Sequence, residues 1–134
     1  MNNAFTHRFA PLVGRILLSL LFIWAGYGKL TNFGGTAGYM AQHGLPLTNV
    51  LLVITIIVEL GGGLALLLGW YSRWAALIMF LFIIPVTLVF HNFWAADAAH
   101  YQMQLINFMK NVSIMGGMLM LAANGPGPIG INQK

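Results

Sequence analysis

Four apolar stretches, each long enough to cross a lipid bilayer, alternate with short polar segments along this chain. They run from about 12–30, 48–69, 73–90 and 104–123, and a spanning helix needs roughly 20 apolar residues. Pro11 stands where a first helical turn favours proline, and Asn124-Gly125-Pro126 is a strong helix stop. The pattern predicts an all-α membrane protein, with residues 1–134 forming one domain of four transmembrane helices in a bundle.

The segments between the apolar stretches differ in kind. Trp70-Tyr71-Ser72 predicts a tight turn between the second and third spans. The first connection is longer and rich in glycine, and residues 37–43 within it are predicted to form a short interfacial helix. The last connection, residues 91–103, carries aromatic, histidine and acidic side chains.

On three of the predicted helices, polar and small residues recur every three or four positions and therefore share one face. Small residues let membrane helices approach closely, and polar side chains bond between helices. These faces are therefore predicted to point into the bundle. They comprise Arg15, Ser19, Phe22, Gly26 and Lys29 on the first helix, Thr55, Glu59, Gly62 and Leu66 with Gly61 and Gly63 on the second, and Asn107, Lys110, Ile114, Gly117 and Leu121 with Asn111 on the fourth.

Composition supports the membrane assignment and excludes several functions. The chain is 59% hydrophobic and 6% charged, whereas soluble domains carry about 25% charged residues. Its net charge of +4 comes from bases scattered singly, so we expect no nucleic-acid partner. The chain has no cysteine, which excludes a thiolate nucleophile or an iron–sulfur cluster held by this chain alone. Any redox role would need a bound cofactor or a partner.

The distribution of bases predicts the orientation of the spans. Basic residues favour the cytoplasmic side, and both termini are therefore predicted to be cytoplasmic. The first apolar run continues to Tyr27 without a clear cleavage pattern, which favours an uncleaved first span over a removed signal peptide. On this topology the cytoplasmic side carries Arg8, Arg15, Arg73 and Lys134, and the outer half carries Lys29 and Lys110.

Glu59 is the most informative residue, because it is one of only two acidic residues and lies near the middle of the second span. A charged side chain at bilayer depth costs about 2.5–3.5 kcal/mol and tends to mark a partner or a pathway. Because a helix rises about 1.5 Å per residue, the position of each polar residue in its span gives its depth in the bilayer. They place a candidate site in the outer half of the bundle, formed by Lys29, Glu59, His91, Asn107, Lys110 and Asn111.

This candidate site has a structural and a functional interpretation. Glu59 could pair with Lys110, with Lys29 or with both, as an interhelical salt bridge that fixes register. Alternatively, a polar pocket open to the outer face would suit an anionic or carbonyl-bearing ligand, or a proton relay through Glu59 and His91. Arg15, near the cytoplasmic face, is predicted to snorkel toward lipid headgroups. No metal site is predicted, because the histidines lack ligand spacing.

Several segments resemble the DoxX family of small bacterial four-helix inner-membrane proteins. The similar segments are residues 15–30, 59–73, Phe108-Met-Lys-Asn111 and the tail 124–131, in the same order and spacing. The resemblance implies that Arg15, Lys29, Glu59, Arg73 and Lys110 are the family's characteristic polar positions. One departure is Ile131-Asn132, where the family usually has Leu-Asp.

The resemblance implies a role near membrane redox chemistry, since some relatives are subunits of a thiosulfate:quinone oxidoreductase and others are linked to oxidative-stress complexes. The leading hypothesis is a non-catalytic membrane subunit, or a protein that binds a small quinone-like ligand, with a redox-complex partner or a second copy beside it in the bilayer. No cofactor other than a quinone is indicated. The alternatives are a proton or small-anion transporter component that uses Glu59, and an enzyme acting on a quinone or lipid through His91 and Glu59.

Overall fold

The computed structural model describes residues 3–134 and shows four long helices. Each is long and apolar enough to cross a membrane, and residues 3–134 contain no strand. The prediction of an all-α protein with four spanning helices is therefore confirmed. The long helices are Ala4–Thr31, Thr48–Leu68, Ser72–Phe90 and Tyr101–Asn124, referred to below as the first to fourth helices; a short helix, Phe33–Gln42, and a 3-10 turn, Phe93–Ala95, lie in the two longer loops.

The first helix begins earlier than the hydrophobic pattern predicts. It starts at Ala4, because the Asn3 side chain caps it by accepting a hydrogen bond from the Phe5 backbone N–H at 3.1 Å. Pro11 therefore lies inside the helix, and its interpretation as a first-turn residue was wrong. A helix is present in the first loop as predicted, but it runs over Phe33–Gln42 instead of 37–43, and its interfacial location stays a prediction. The predicted tight turn is also present, with Gly69 and Tyr71 both in the left-handed region.

The interior face predicted on the first helix is confirmed. Arg15, Ser19, Phe22 and Gly26 are buried, and Lys29 is half-buried. The second helix packs closely against this face at Gly63, where an added Cβ would lie 2.8 Å from the Ile23 side chain and 3.4 Å from the Ser19 carbonyl oxygen. Only a residue without a side chain allows this approach of the two helices.

The interior face predicted on the fourth helix is confirmed only in part. Leu121 is buried, and Asn107, Ile114 and Gly117 are half-buried, but Lys110 is exposed. The fourth helix packs mainly on the third and makes few contacts with the first. Only a narrow side of the fourth helix is therefore covered by other helices, and Lys110 lies outside it.

Two apolar clusters form the core of the bundle. The larger joins all four long helices, and the smaller lies where the short helix Phe33–Gln42 covers the beginning of the second helix. The larger consists of Phe22, Leu66, Ala76, Met79, Ile83, Met118 and Leu121, and the smaller of Ala37, Met40, Leu52 and Ile56.

Arg15 is only 1% exposed, so the prediction that it snorkels to lipid headgroups was wrong. Its guanidinium donates to the carbonyls of Leu66 at 2.8 Å and Pro126 at 3.0 Å, and also to those of Leu67 and Ile129. The last carbonyls of a helix have no intrahelical donors, and a cation near them is favourable. Arg15 thus caps the second helix and ties the C-terminal tail to it.

Arg73 does the same for the fourth helix, because its guanidinium donates to the carbonyls of Ala122 and Asn124, each at 3.2 Å, and to that of Ala123. The tail then crosses the turn between the second and third helices. There the Asn132 side-chain oxygen accepts a hydrogen bond from the Tyr71 N–H at 2.9 Å. Aspartate, which the resemblance leads one to expect at this position, would offer the same acceptor. The beginning of the first helix and the C-terminal tail therefore lie at one end of the bundle, and the cytoplasmic location of that end stays a prediction.

The three consecutive glycines of the second helix provide a matched test of this packing. An added Cβ at Gly63 meets the first helix, whereas one at Gly61 meets nothing within 4 Å. We expect Gly63→Ala to lower the free energy of unfolding by about 1–3 kcal/mol through overpacking. Gly61→Ala should be neutral or stabilising by up to about 1 kcal/mol through helix propensity. Unfolding by SDS in mixed micelles measures both, and equal effects would contradict the close approach.

Candidate functional site

Lys29 and Glu59 form an ion pair that joins the first two helices. The Lys29 Nζ lies 3.0 Å from Glu59 Oε2 and 3.1 Å from Oε1. The Glu59 side chain is 8% exposed and that of Lys29 is 29% exposed. Of the two lysines predicted as partners, only Lys29 pairs with Glu59 in residues 3–134, because Lys110 faces away from the bundle.

Glu59 lies at the centre of a π-helical turn, Ile57–Gly61, inside the second helix. Such turns are rare and occur frequently at functional sites. The first helix accommodates this turn at Gly26, where an added Cβ would lie 2.7 Å from the Leu60 side chain and 3.2 Å from Glu59 Cβ. The backbone around the carboxylate is therefore both irregular and tightly enclosed.

Two cavities of about 220 Å³ each flank the ion pair, and Lys29, Glu59, Val86 and His91 line both of them. The walls are otherwise largely apolar, with a few polar side chains, as is typical of small-molecule sites. The first cavity is completed by Thr36, Tyr39, Met40, Thr55 and Phe90, and the second by Leu21, Phe22, Ala25, Phe82, Ile83, Asn111 and Ile114.

The imidazole of His91 is oriented by Gln104. His91 Nδ1 lies 3.0 Å from Gln104 Oε1, and Gln104 Nε2 donates to the Phe90 carbonyl at 3.1 Å. Because a carbonyl only accepts, the amide nitrogen must face Phe90 and the amide oxygen must face His91. The proton of the neutral imidazole therefore resides on Nδ1, which leaves Nε2 as the nitrogen open to a ligand.

Asn111 contributes to the second cavity and links two helices beside it. Its Nδ2 donates to the Thr87 hydroxyl at 3.0 Å, and that hydroxyl donates to the Ile83 carbonyl at 2.7 Å. Lys29 also lines this cavity, whereas Lys110 does not and is exposed.

A larger cavity of about 470 Å³, which we call the loop vestibule, lies at the end of the bundle that carries the two longer loops. His91, Asn107, Asp97 and His100 are among its lining residues. Asp97 Oδ1 lies 2.7 Å from His100 Nδ1. This hydrogen bond holds the pKa of the Asp97 carboxyl below its usual range, so the vestibule keeps a carboxylate.

The structure thus divides the predicted site residues into four groups. Lys29, Glu59, His91 and Asn111 meet around the two inner cavities, and Asn107 lies in the adjoining vestibule. Lys110 is exposed, and the two arginines lie at the opposite end. In residues 3–134, no three histidine, aspartate or glutamate side chains are grouped to hold a metal ion. Gln104 and Thr87 were missed, although Thr87 lies one helical turn before His91, and Gln104 shares a face with Asn107 and Asn111 at spacings of three and seven.

Comparison with known proteins relates this chain to membrane proteins. Residues 10–92 match the model of the DoxX family. Inner membrane protein YqjF of Escherichia coli K12 is 41% identical over 122 residues, which cover 91% of this chain and 88% of the relative. Inner membrane protein YphA of the same organism is 32% identical over 123 residues, covering 92% and 88%. No solved structure matches this chain.

We expect the loss of one partner of the ion pair to destabilise the bundle more than the loss of both. Lys29→Met leaves a buried carboxylate without its counter-charge and should lower the free energy of unfolding by up to about 3 kcal/mol. The double variant Lys29→Met/Glu59→Leu removes both charges and should recover most of this loss. Lys110→Met, at an exposed lysine, is the matched control. SDS unfolding measures all three, and a double variant as unstable as Lys29→Met would contradict the pairing.

Proposed function

Because this chain belongs to the DoxX family of integral inner-membrane proteins, we propose that it binds a small, lipid-soluble carbonyl compound of the quinone class between its helices. The Lys29–Glu59 ion pair would be the polar contact of this ligand. In this proposal the protein acts as a non-catalytic membrane subunit, which holds the ligand for a redox or stress-related partner.

The observation that carries the proposal is the position of the Lys29 ammonium, which lines both inner cavities. An ammonium has three donors, and the two oxygens of Glu59 accept at most two of them. One donor is therefore available to a carbonyl oxygen. His91 lines the same cavities, and its Nε2 offers a second polar contact on the ligand.

The size and lining of the cavities limit the ligand. Pockets for drug-sized molecules are about 300–1,000 Å³, and each inner cavity is about 220 Å³. A head group of one substituted ring suits this volume, and aromatic and aliphatic side chains such as Phe82, Ile83 and Phe90 would pack against it. An apolar tail on the same molecule would extend between the helices into lipid.

The chain supplies binding groups but lacks cysteine for electron or sulfur transfer by its own side chains. A partner would therefore perform the redox step, which fits a holding subunit. The enzymatic alternative uses the same His91 and Glu59, which line the same cavities. Conversion of the bound compound in the experiment below would identify that alternative.

The transport alternative receives less support. It needs a path from Glu59 toward Arg15, but the cavity beside Arg15 shares no lining residue with the two inner cavities. Ser19 and Phe22 are buried between these regions. The donors of Arg15 are also engaged by backbone carbonyls, which leaves it poorly suited to receive an anion.

A direct binding measurement tests the proposal. We expect the purified protein in lipid nanodiscs to retain one equivalent of a short-chain benzoquinone analogue by native mass spectrometry. Lys29→Met should weaken binding at least tenfold, or about 1.4 kcal/mol, because the ligand carbonyl loses its charged donor. Lys110→Met should bind like the unsubstituted protein.

The double variant Lys29→Met/Glu59→Leu separates loss of binding from loss of folding. It should be folded, yet its affinity for the analogue should be as low as that of Lys29→Met. Retention no greater than in empty nanodiscs, or undiminished binding by the double variant, would overturn the proposal. Mass spectrometry of the recovered analogue should show it unchanged.

A further inference from the structure

The fourth helix carries a charge on the outside of the bundle, within the membrane-spanning region. Lys110 is exposed there. Of the most apolar 18 residues of this helix, 6% are buried, against 22–28% in the other three. We propose that the face around Lys110 binds a transmembrane helix of a different protein, one that carries an aspartate or glutamate at matching depth.

Charge complementarity indicates a different protein rather than a second copy. The chain has two acidic side chains; Glu59 is paired with Lys29, and Asp97 is bonded to His100 in a loop. Neither is available to Lys110. A second copy has the same shortage, and two copies meeting through this face would bring two lysines together. The missing carboxylate must come from another chain.

The depth of Lys110 argues against a lipid headgroup as its counter-charge. It lies nine residues after Tyr101, the first residue of the fourth helix, or roughly 13 Å along the axis. Tyrosine is typical of the membrane interface. Side chains on a helix point back toward its N-terminus, but an extended lysine reaches only about 6 Å. The ammonium therefore stays roughly a turn below the level of Tyr101, where a charge is costly.

The surroundings of Lys110 suit a closely packed helix. Ser113 is exposed one turn after Lys110, and Met109 and Gly116 are exposed on the adjoining side of the helix, where an added Cβ at Gly116 would meet nothing within 4 Å. Small residues allow helix backbones to approach in membranes, and methionine adapts to varied partner surfaces. The Ser113 hydroxyl donates to the Met109 carbonyl of its own helix at 3.1 Å, so the lysine supplies the polar contact.

The test uses a synthetic leucine-rich transmembrane peptide with one glutamate at the depth of Lys110, and a control peptide with glutamine there. Energy transfer between labelled peptide and labelled protein in phosphatidylcholine vesicles measures association. We expect the glutamate peptide to bind at least tenfold more tightly than the glutamine peptide. Lys110→Met should abolish this preference, and Lys110→Arg should retain it.

Moving the lysine to another position tests whether the preference depends on the proposed face or only on a positive charge somewhere on the helix. Lys110→Met/Val112→Lys places a lysine at another exposed position of the same helix, and we expect no preference for the glutamate peptide. Restored preference in this variant, or equal binding of the two peptides to the unsubstituted protein, would overturn the proposal. The proposal would also be overturned if replacing Lys110 changed only how much anionic phosphatidylglycerol the protein retains and left peptide binding unchanged. The stable double variant Lys29→Met/Glu59→Leu should leave peptide binding unchanged, which keeps this test independent of the proposed ligand.

Discussion

A carboxylate inside a bilayer needs a counter-charge, and the Lys29–Glu59 ion pair supplies it. The pair joins the first two helices, which approach closely because Gly26 and Gly63 face the partner helix without side chains. The π-helical turn at Ile57–Gly61 belongs to the same arrangement. The two inner cavities lie on either side of this ion pair, so the proposed binding site and the main polar contact of the fold are one feature.

The opposite end of the bundle is organised by cations that bind carbonyls instead of carboxylates. Arg15 and Arg73 each donate to the last carbonyls of a helix, and together they hold the C-terminal tail against the second and third helices. That end is held together by backbone contacts, and its cavity beside Arg15 shares no lining residue with the inner cavities. The end with the longer loops has the inner cavities and the loop vestibule, with His91 lining all three. Ligand access is therefore expected at the loop end.

Sequence spacing predicts a side chain's environment well only where a helix is contacted around much of its circumference. Ser19, Phe22 and Gly26 are buried as predicted, because other helices cover that face. The same reasoning failed for Lys110, since one helix is the main neighbour of its helix. Spacing also did not choose between the two lysines as the partner of Glu59. It gave no sign of the π-helical turn. Spacing places Gln104 on the same face as Asn107 and Asn111, but its bond to His91 joins two different elements and does not follow from spacing.

The two proposals meet on the fourth helix. Asn111 lines an inner cavity and bonds to Thr87 on the third helix, whereas Lys110, its neighbour in sequence, faces outward. A partner helix bound at Lys110 would therefore lie one helix diameter, roughly 10 Å, from the proposed ligand. On the proposed function, this chain holds the quinone-like compound, and another protein performs the redox step. Placement of the partner face directly behind the cavity would bring that protein to the ligand without opening the bundle.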